Sequence, residues 1–355
     1  MKKQIGFGVV GAGLIAPFHL KAIRDANGGF TVGIFDLDKV KAEKISNEYN
    51  IKAFSSLEQM LADKNISVVC VATPNHLHHD IVIKAAQAGK HVLTEKPPAM
   101  SLAETDEMVA ACKKSNVKFG CFVQCRTRKA IQAIKHALDS ERFGELLHAD
   151  AYMKWFRGKD YYTSAGWRGQ QKSGSGVTVA QGFHYIDLLQ YLAGPASKVE
   201  AKMTNIAHPG IKLEDDVIAY LEYANGGKGV IQLSTALWPG TDIRIEINGT
   251  KGTSIMVGEK IQTWKFQDER PEDTEIRSIG NAAQATGAGG AADFGHADHT
   301  VVVQDMIDRI TDGKEVVIPV TAVRPTLEIV LAIYQSAKSG KPICSPFNDD
   351  DNIWN

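Results

Sequence analysis

The sequence predicts two domains, an α/β domain with a parallel sheet followed by an α+β domain built on a mostly antiparallel open sheet. Strand and helix patterns alternate as far as residue 124, which is typical of a parallel sheet covered by helices on both faces. Beyond that point the alternation stops, and short strands joined by hairpin turns follow. Because 355 residues exceed one typical core, we expect domains at 1–124 and 125–355.

The composition argues against several classes of partner and location. Forty basic and 41 acidic residues leave a net charge of -1, so the sequence indicates neither nucleic-acid binding nor attachment to a membrane surface. No apolar run reaches the roughly 20 residues that a membrane helix needs. Five cysteines without a Cys-x-x-Cys pair favour reduced thiols, a cytoplasmic location and no metal site. The N-terminus has the charge pattern of a signal peptide, but cleavage would delete the first strand.

The first apolar strand, residues 5–10, leads into the turn Gly11-x-Gly13-x-x-Ala16, and helix-forming residues follow. Gly11 permits the tight turn, Gly13 lets the backbone approach a pyrophosphate, and the small Ala16 lets the helix pack on the strand. The helix dipole would favour the phosphate charge. The turn therefore predicts a dinucleotide site, with a plain glycine-rich turn as the alternative. The residues expected to contact the cofactor here are Gly11, Gly13, Leu14 and Ile15.

A second apolar run, residues 30–35, ends at Asp36. A carboxylate at this position would bind the adenosine ribose hydroxyl and repel a 2′-phosphate. Because no arginine lies in Leu37-Asp38-Lys39, we expect NAD rather than NADP as the cofactor. A cap on the next helix is the alternative role for Asp36, and one side chain could serve both.

Ligands of parallel sheets lie at the carboxyl ends of the strands, so the segments that follow strands 68–72 and 91–94 are the ones to inspect. The first segment holds three histidines, but no carboxylate or thiol completes a metal set. We expect it to face the cofactor, with surface histidines as the alternative. The second segment places Lys96 beside the nicotinamide, with a cis Lys96–Pro97 bond, and a solvated Lys96 paired with Glu95 is the alternative. The expected cofactor contacts are Thr73, Pro74, Asn75, His78, Glu95 and Lys96.

Together these motifs resemble the Gfo/Idh/MocA family of NAD(P)-dependent oxidoreductases, and Glu95-Lys96-Pro97 is the most specific part of the likeness. The resemblance implies a Rossmann NAD-binding domain and a second domain that binds substrate and forms oligomers. It spans nearly the whole chain. In the second half it rests on Gln124-x-Arg126, Trp167-Arg168-Gly169, Gly174-x-Gly176 and His184-x-x-Asp187-Leu188-Leu189.

The resemblance implies that Lys96 contacts substrate and cofactor, and that His184 is the general acid/base. Imidazole titrates near working pH, as a base that removes a hydroxyl proton should. We expect His184 to accept the proton and Lys96 to orient the hydroxyl and relay the proton, and the reversed assignment stays open. Many family members carry Asp or Asn four residues before the histidine. Ala180 stands there in this sequence, which puts one substrate contact in question.

The pocket is expected to combine forked donors and flat apolar faces, since Arg binds hydroxyls or carboxylates and Trp stacks on sugars. A tryptophan in the core or an arginine in an ion pair is the alternative. Gln124 is expected at the cofactor. The expected substrate contacts are Arg126, Trp167, Arg168, Gln181 and His184.

The predicted activity is oxidation of a secondary hydroxyl of a sugar, cyclitol or nucleotide sugar, that is, of a small carbohydrate. A glycosidase that uses bound NAD for transient oxidation and elimination is the second interpretation, and a non-catalytic NAD-binding regulator is the third.

The second domain should expose one sheet face, and we therefore expect a homodimer or homotetramer formed through it. Residues 316–320 predict a further strand. Residues 281–292 predict a mobile loop, either a lid or a plain connector.

Overall fold

The computed structural model describes residues 4–164, 166–170, 173–280, 290, 295–349 and 353–354. The chain forms two compact units. One contains Met1–Gln124 and Gly295–Arg324, and the other contains Cys125–Phe294 and Pro325–Asn355. The segment Gly295–Arg324 thus differs from the expectation that 125–355 forms a single domain. The reason is a long helix in this segment, which packs against the first helix of the chain.

The strands, in chain order, are β1 (Ile5–Val10), β2 (Gly29–Phe35), β3 (Lys52–Ala53), β4 (Val68–Val71), β5 (His91–Thr94), β6 (Phe119–Cys121), β7 (Leu146–Lys154), β8 (Ala196–Thr204), β9 (Asp216–Tyr223), β10 (Lys228–Ser234), β11 (Arg244–Gly249), β12 (Gly252–Val257), β13 (Lys260–Phe266) and β14 (Ile343–Cys344).

The α-helices, in the same order, are α1 (Ala16–Asp25), α2 (Lys39–Tyr49), α3 (Leu57–Ala62), α4 (His78–Gln87), α5 (Leu102–Lys114), α6 (Lys129–Asp139), α7 (Lys159–Thr163), α8 (Val177–Ala180), α9 (Phe183–Ala193), α10 (Asp273–Arg277), α11 (Ala297–Asp312) and α12 (Val320–Ser339).

The first unit is built on a six-stranded sheet with the order β3-β2-β1-β4-β5-β6, and every neighbouring pair is parallel. β1 and β4 are buried along their whole length. This explains why both read as continuous apolar runs, because helices cover both faces of such a sheet. The predicted parallel α/β domain is confirmed.

Some helix starts in the first unit are fixed by short polar side chains that accept backbone N–H groups. Asp38 accepts from Lys41 at 3.3 Å, and Ser56 accepts from Gln59 at 3.2 Å. No side chain caps the first turn of α1, α4 or α11. The start of α1 follows the glycine turn.

The second unit is built on an eight-stranded sheet with the order β13-β12-β11-β7-β10-β9-β8-β14. Only β7 and β10 pair in parallel, and the other pairs are antiparallel. Burial alternates along the strands: Val217 and Ala219 of β9 are buried, whereas Ile218 is 51% exposed. α9 packs on β7. The predicted α+β domain with a mostly antiparallel open sheet is confirmed.

Two local predictions are not confirmed. The predicted strand at 316–320 is wrong: Pro319 makes one isolated bridge to Gly120, and α12 begins at Val320. Val316 and Ile318 are buried, so their apolar character reflects core packing rather than strand pairing. The loop predicted at 281–292 lies outside the described residues except for Gly290.

Candidate active site

The turn between β1 and α1 is shaped by two glycines in different ways. Gly11 has φ +108°, and a Cβ there would lie 2.5 Å from the carbonyl oxygen of Ala72. At Gly13 a Cβ would meet no atom within 4 Å, so the backbone faces open space. Leu14 is 47% exposed, and Ile15 leads into α1 without a side-chain cap. The turn therefore fits a pyrophosphate lying against its backbone.

Asp36 follows β2 and is joined to the glycine turn. Its Oδ2 accepts the N–H of Ala12 at 2.6 Å, and its Oδ1 accepts the N–H of Asp38 at 2.8 Å. The cap of α2 is Asp38, so the alternative role of Asp36 as helix cap does not apply. The partly exposed carboxylate is still available to a ribose hydroxyl, since each oxygen can accept more than one hydrogen bond.

His78 begins α4 and is fully buried. Its Nδ1 lies 2.9 Å from the carbonyl oxygen of Pro97, and its Nε2 lies 3.0 Å from that of Thr73. Burial lowers the pKa of His78, although both carbonyls favour the protonated ring. The imidazole thus joins the loops that follow β4 and β5, and the cofactor contact expected for His78 stays a prediction.

Pro74 and Asn75 follow Thr73 in the loop between β4 and α4. Asn75 opens a short 3₁₀ turn, Asn75–Leu77, directly after Pro74. Both residues are partly exposed at the carboxyl end of β4. They lie at the edge of the sheet where ligands of parallel sheets bind, so the cofactor role expected for them fits the fold.

The Glu95-Lys96-Pro97 segment follows β5, and the Lys96–Pro97 bond is cis, as predicted. The Glu95 side chain contacts a residue in the interior of the first unit: its Oε1 lies 2.9 Å from Nε2 of the buried His19 on α1. Its Oε2 accepts the backbone N–H of Lys96 at 3.3 Å. Burial would raise the pKa of Glu95, but the close contact with His19 and nearby positive charge outweigh it and lower the pKa to about 2.

His184 lies in the first turn of α9. The helix starts close to the sheet, because a Cβ on Gly182 would lie 2.4 Å from the side chain of Leu233 on β10. Phe183 and Tyr185, on either side of His184, are buried. His184 is partly exposed and is therefore the accessible side chain of the three.

Three predicted pocket residues meet around Tyr161. Gln181 donates through Nε2 to the Tyr161 hydroxyl at 2.7 Å. The Arg168 guanidinium lies 4.6 Å from the centre of the Tyr161 ring and 5.4 Å from that of Trp167. α8 ends at Ala180, which offers no polar side chain. The cluster combines a cation, flat rings and an amide, the features expected of a carbohydrate subsite.

Arg126 has a buried protein partner. Its Nε and Nη2 donate to both carboxylate oxygens of Asp187 at 2.7 and 2.6 Å. Thr326 donates to the same carboxylate at 2.8 Å. This geometry favours the ion-pair alternative for Arg126 over the predicted substrate contact. Gln124 is buried at the end of the first unit.

Neither His19 nor Tyr161 is among the site residues predicted from the sequence. His19 lies on the buried face of α1, where its spacing resembles that of core residues. No group of His, Cys, Asp and Glu side chains among the described residues could hold a metal ion. Within the same part of the chain, no helix is long and apolar enough to cross a bilayer.

Two family models match the chain. One is described as the oxidoreductase family GFO/IDH/MocA with an NAD-binding Rossmann fold and matches residues 5–123. The other is the GFO/IDH/MocA C-terminal domain and matches residues 131–255. The first match covers the glycine turn, Asp36 and the Lys96 segment.

Similar proteins cover nearly the same length. The WlbA dehydrogenase from Bordetella pertussis, solved in complex with NADH and UDP-GlcNAcA, is 30% identical with a TM-score of 0.87, covering 98% of this chain and 99% of that chain. The 2,7-anhydro-N-acetylneuraminate hydratase of Escherichia coli (strain K12) is 29% identical over 80% of this chain and 79% of that protein. The scyllo-inositol 2-dehydrogenase (NAD(+)) of Bacillus subtilis (strain 168) is 25% identical over 97% of both.

Proposed function

This chain belongs to the GFO/IDH/MocA family of NAD-binding oxidoreductases, and we propose that it transfers a hydride between NAD and a secondary hydroxyl of a sugar, cyclitol or nucleotide sugar. The family resemblance predicted from the motifs is confirmed, and so is the NAD-binding Rossmann domain. The observation that carries the proposal is the Lys96 segment. It lies at the ligand-binding edge of the parallel sheet and is held from inside by His78 and His19.

We propose separate roles for the two reactive side chains. NAD, when bound, supplies the hydride acceptor. His184 would accept the hydroxyl proton, because its side chain is partly exposed and imidazole is a common general base in enzymes. Lys96 would donate a hydrogen bond to the same hydroxyl, orient it and relay the proton. Together, positioning and proton transfer can lower the barrier by several kcal/mol, roughly the range expected for such groups.

We propose that the glycine turn holds the pyrophosphate and that Asp36 holds the adenosine ribose. The loop residues Thr73, Pro74 and Asn75, with Glu95 and Lys96, would line the nicotinamide side. This arrangement favours NAD over NADP because a carboxylate repels a 2′-phosphate. Gln124 stays a predicted cofactor contact.

The Tyr161 cluster supports a carbohydrate substrate. Trp167 supplies a flat face, and Arg168 supplies donors for hydroxyl or acidic groups. Proteins similar to this chain are named for an inositol and for an anhydro sugar, and one was solved with a nucleotide sugar. These names support the class of substrate and do not select one member.

The activity is tested by incubating the purified protein with NAD and a panel of hexoses, uronates, inositols and UDP-sugars, and following NADH fluorescence. We expect NADH with at least one compound, and no NADH in parallel reactions with Lys96→Ala. A panel without NADH in the parent protein, repeated in the reductive direction with the same outcome, would contradict the dehydrogenase proposal.

One observation favours a second candidate function. The Escherichia coli relative is named as a hydratase, so its name describes no net oxidation. A glycosidase or hydratase that oxidises its sugar transiently, eliminates and then reduces would use the same residues. Product formed from a glycoside or anhydro sugar with an absolute need for NAD, but without net NADH, would select this alternative.

We also propose that the protein forms a homodimer or homotetramer through the open face of the second sheet, around Ile218. Ile218→Asp should shift the mass measured by light scattering towards the monomer, whereas Leu147→Asp, at a second exposed apolar position in the same unit, is the control. A parent protein that is already monomeric would contradict this. A cytoplasmic location stays a prediction.

A further inference from the structure

His19 is a fully buried histidine that contacts the segment of the proposed catalytic lysine. It lies on α1, and its Nε2 is 2.9 Å from Oε1 of Glu95. The other oxygen of the same carboxylate accepts the backbone N–H of Lys96 at 3.3 Å. One carboxylate thus connects the buried imidazole with the lysine that follows it in the chain.

The groups that face Glu95 come from several elements and are mostly basic. His19 lies on α1 and His299 on α11, and their ring centres are 5.5 Å apart. Lys96 follows in the chain, and all three stabilise the ionised carboxylate. Cys70 on β4 and His78 on α4 also pack here. The negative charge of Glu95 affects the pKa of both side chains.

These neighbours explain why a buried carboxylate can stay ionised. Burial disfavours the charge, but the close contact with His19 and the positive charges around the carboxylate lower the pKa of Glu95 to about 2. The same charge, together with burial, raises the pKa of the Cys70 thiol. The His19 ring packs on Phe122 with the ring centres 4.4 Å apart, which fixes its orientation. Glu95 is therefore held in one place by a group that cannot easily turn away.

We propose that His19 is a positioning residue for Lys96: its imidazole, with Nε2 2.9 Å from Oε1, keeps the Glu95 carboxylate ionised and in place, and Glu95 holds the backbone amide and the charge of Lys96. This inference rests on the proposed role of Lys96. It adds His19 to the residues that support the proposed active site. His19 lies on α1, the helix that follows the glycine turn. The helix at the proposed pyrophosphate site would then also support the lysine at the nicotinamide side.

Two substitutions separate the polar contact between His19 and Glu95 from simple packing. His19→Gln keeps an N–H donor with a similar reach, and His19→Leu keeps volume but removes the donor. The control is His296→Gln, which removes a partly exposed histidine of the same unit whose Nε2 binds Asp25 at 2.6 Å. All are compared with the parent protein and with Lys96→Ala.

The first readout needs no substrate. The protein is labelled with ¹³Cδ-glutamate, and the Glu95 signal is identified by its loss in Glu95→Gln. We expect the parent Glu95 to stay ionised to about pH 4, and its midpoint to rise by about two pH units in His19→Leu. His296→Gln should leave it unchanged, and His19→Gln, which keeps an N–H donor but removes the imidazole, should raise it by less than His19→Leu does.

The second readout is steady-state turnover with the compound of the carbohydrate panel that gives NADH. In His19→Leu we expect kcat to fall about 10-fold or more, with KM and the Kd for NAD within about 3-fold. His19→Gln should restore most of kcat. A structural role alone would lower the thermal stability of both variants without this split or this rescue.

An unshifted Glu95 midpoint or an unchanged kcat in His19→Leu overturns the inference. If His19→Leu does not fold, the parent titration decides: a Glu95 carboxyl half-protonated above about pH 5 overturns it. The proposed function fails separately, if Lys96→Ala turns over as fast as the parent. An inactive Lys96→Ala beside a fully active His19→Leu rejects the positioning role alone.

Discussion

The carboxylate of Asp36 accepts a 2.6 Å hydrogen bond from the backbone N–H of Ala12. The bond ties the end of β2 to the glycine turn that follows β1. Asp36 therefore does two things at once: it shapes the turn, and it places a negative charge where a ribose would lie. A substitution that removes only the charge can separate these roles.

Asp36→Asn should keep an acceptor for Ala12 and lose the charge that repels a 2′-phosphate. We expect the preference for NAD over NADP to fall about 10-fold, with the unfolding free energy within about 1 kcal/mol of the parent. The ratio of Kd values by calorimetry measures this. Asp38→Ala is the control: loss of the α2 cap should cost about 1 kcal/mol without changing the preference. If Asp36→Asn keeps the parent ratio of Kd values for NAD and NADP, the proposed contact between Asp36 and the ribose is wrong.

Gly11→Ala and Gly13→Ala should differ in what they damage. At Gly11 the new Cβ would lie 2.5 Å from a backbone oxygen at φ +108°, so we expect a loss of stability of about 1–3 kcal/mol or more. At Gly13 the new Cβ meets open space, so stability should hold while NAD binding weakens. Denaturant melts and NAD titrations of both variants test this. Unchanged NAD affinity in Gly13→Ala would place the pyrophosphate elsewhere.

Arg126 and Asp187 form a buried ion pair, and breaking it leaves one charge without compensation. Arg126→Met should therefore lower the unfolding free energy by about 3–5 kcal/mol. Arg126→Met combined with Asp187→Leu should recover part of this loss, because no unpaired charge remains. Urea melts of the single and double variants measure the difference. A stable Arg126→Met protein with a raised KM would instead support the substrate contact predicted from the sequence.

Glu214 should make stability fall as pH rises. Its Oε1 accepts from the Tyr334 hydroxyl at 2.7 Å and from the N–H of Thr178 at 3.1 Å, and burial raises its pKa above the ordinary 4.5. The folded state therefore holds this proton more tightly than the unfolded state. The contribution of this proton to the free energy of unfolding is complete below pH 4.5. It is lost as pH rises through the raised pKa of Glu214.

Glu214→Gln keeps the acceptor and cannot titrate. In the parent, Glu214 causes part of the decline in the unfolding free energy between about pH 4.5 and neutral pH. In the variant, the decline over this range should be smaller by that part. Urea melts across this range measure it, with Glu200→Gln, at an exposed position of β8, as the control. Parallel curves for parent and variant would show that Glu214 has an ordinary pKa in the folded protein.

Local patterns predicted the parts of the site that lie close together in the chain. The glycine turn, Asp36 and the cis Lys96–Pro97 bond follow from spacing and from residue types whose backbone preferences are strong. The parallel sheet follows from continuous apolar runs. For these features, the neighbouring residues in the sequence carry most of the information.

Contacts between distant residues were not predictable in the same way. His19 and Glu95 are paired only because α1 and the end of β5 pack together, and nothing in either segment marks the partner. The same holds for Asp187, which contacts Arg126, and for α11, which packs on α1 rather than staying with the second unit. A buried polar residue needs a partner, but its own sequence does not say which one.

We propose that Lys96 and His184 together carry hydride-transfer chemistry on a carbohydrate hydroxyl. The most direct measurement is single-turnover NADH formation in the parent, Lys96→Ala and His184→Ala, with NAD affinity measured beside it. We predict NAD binding within about 3-fold of the parent and NADH formation slower by about 100-fold or more in both variants. NADH formation at the parent rate in either variant would contradict the role proposed for that residue.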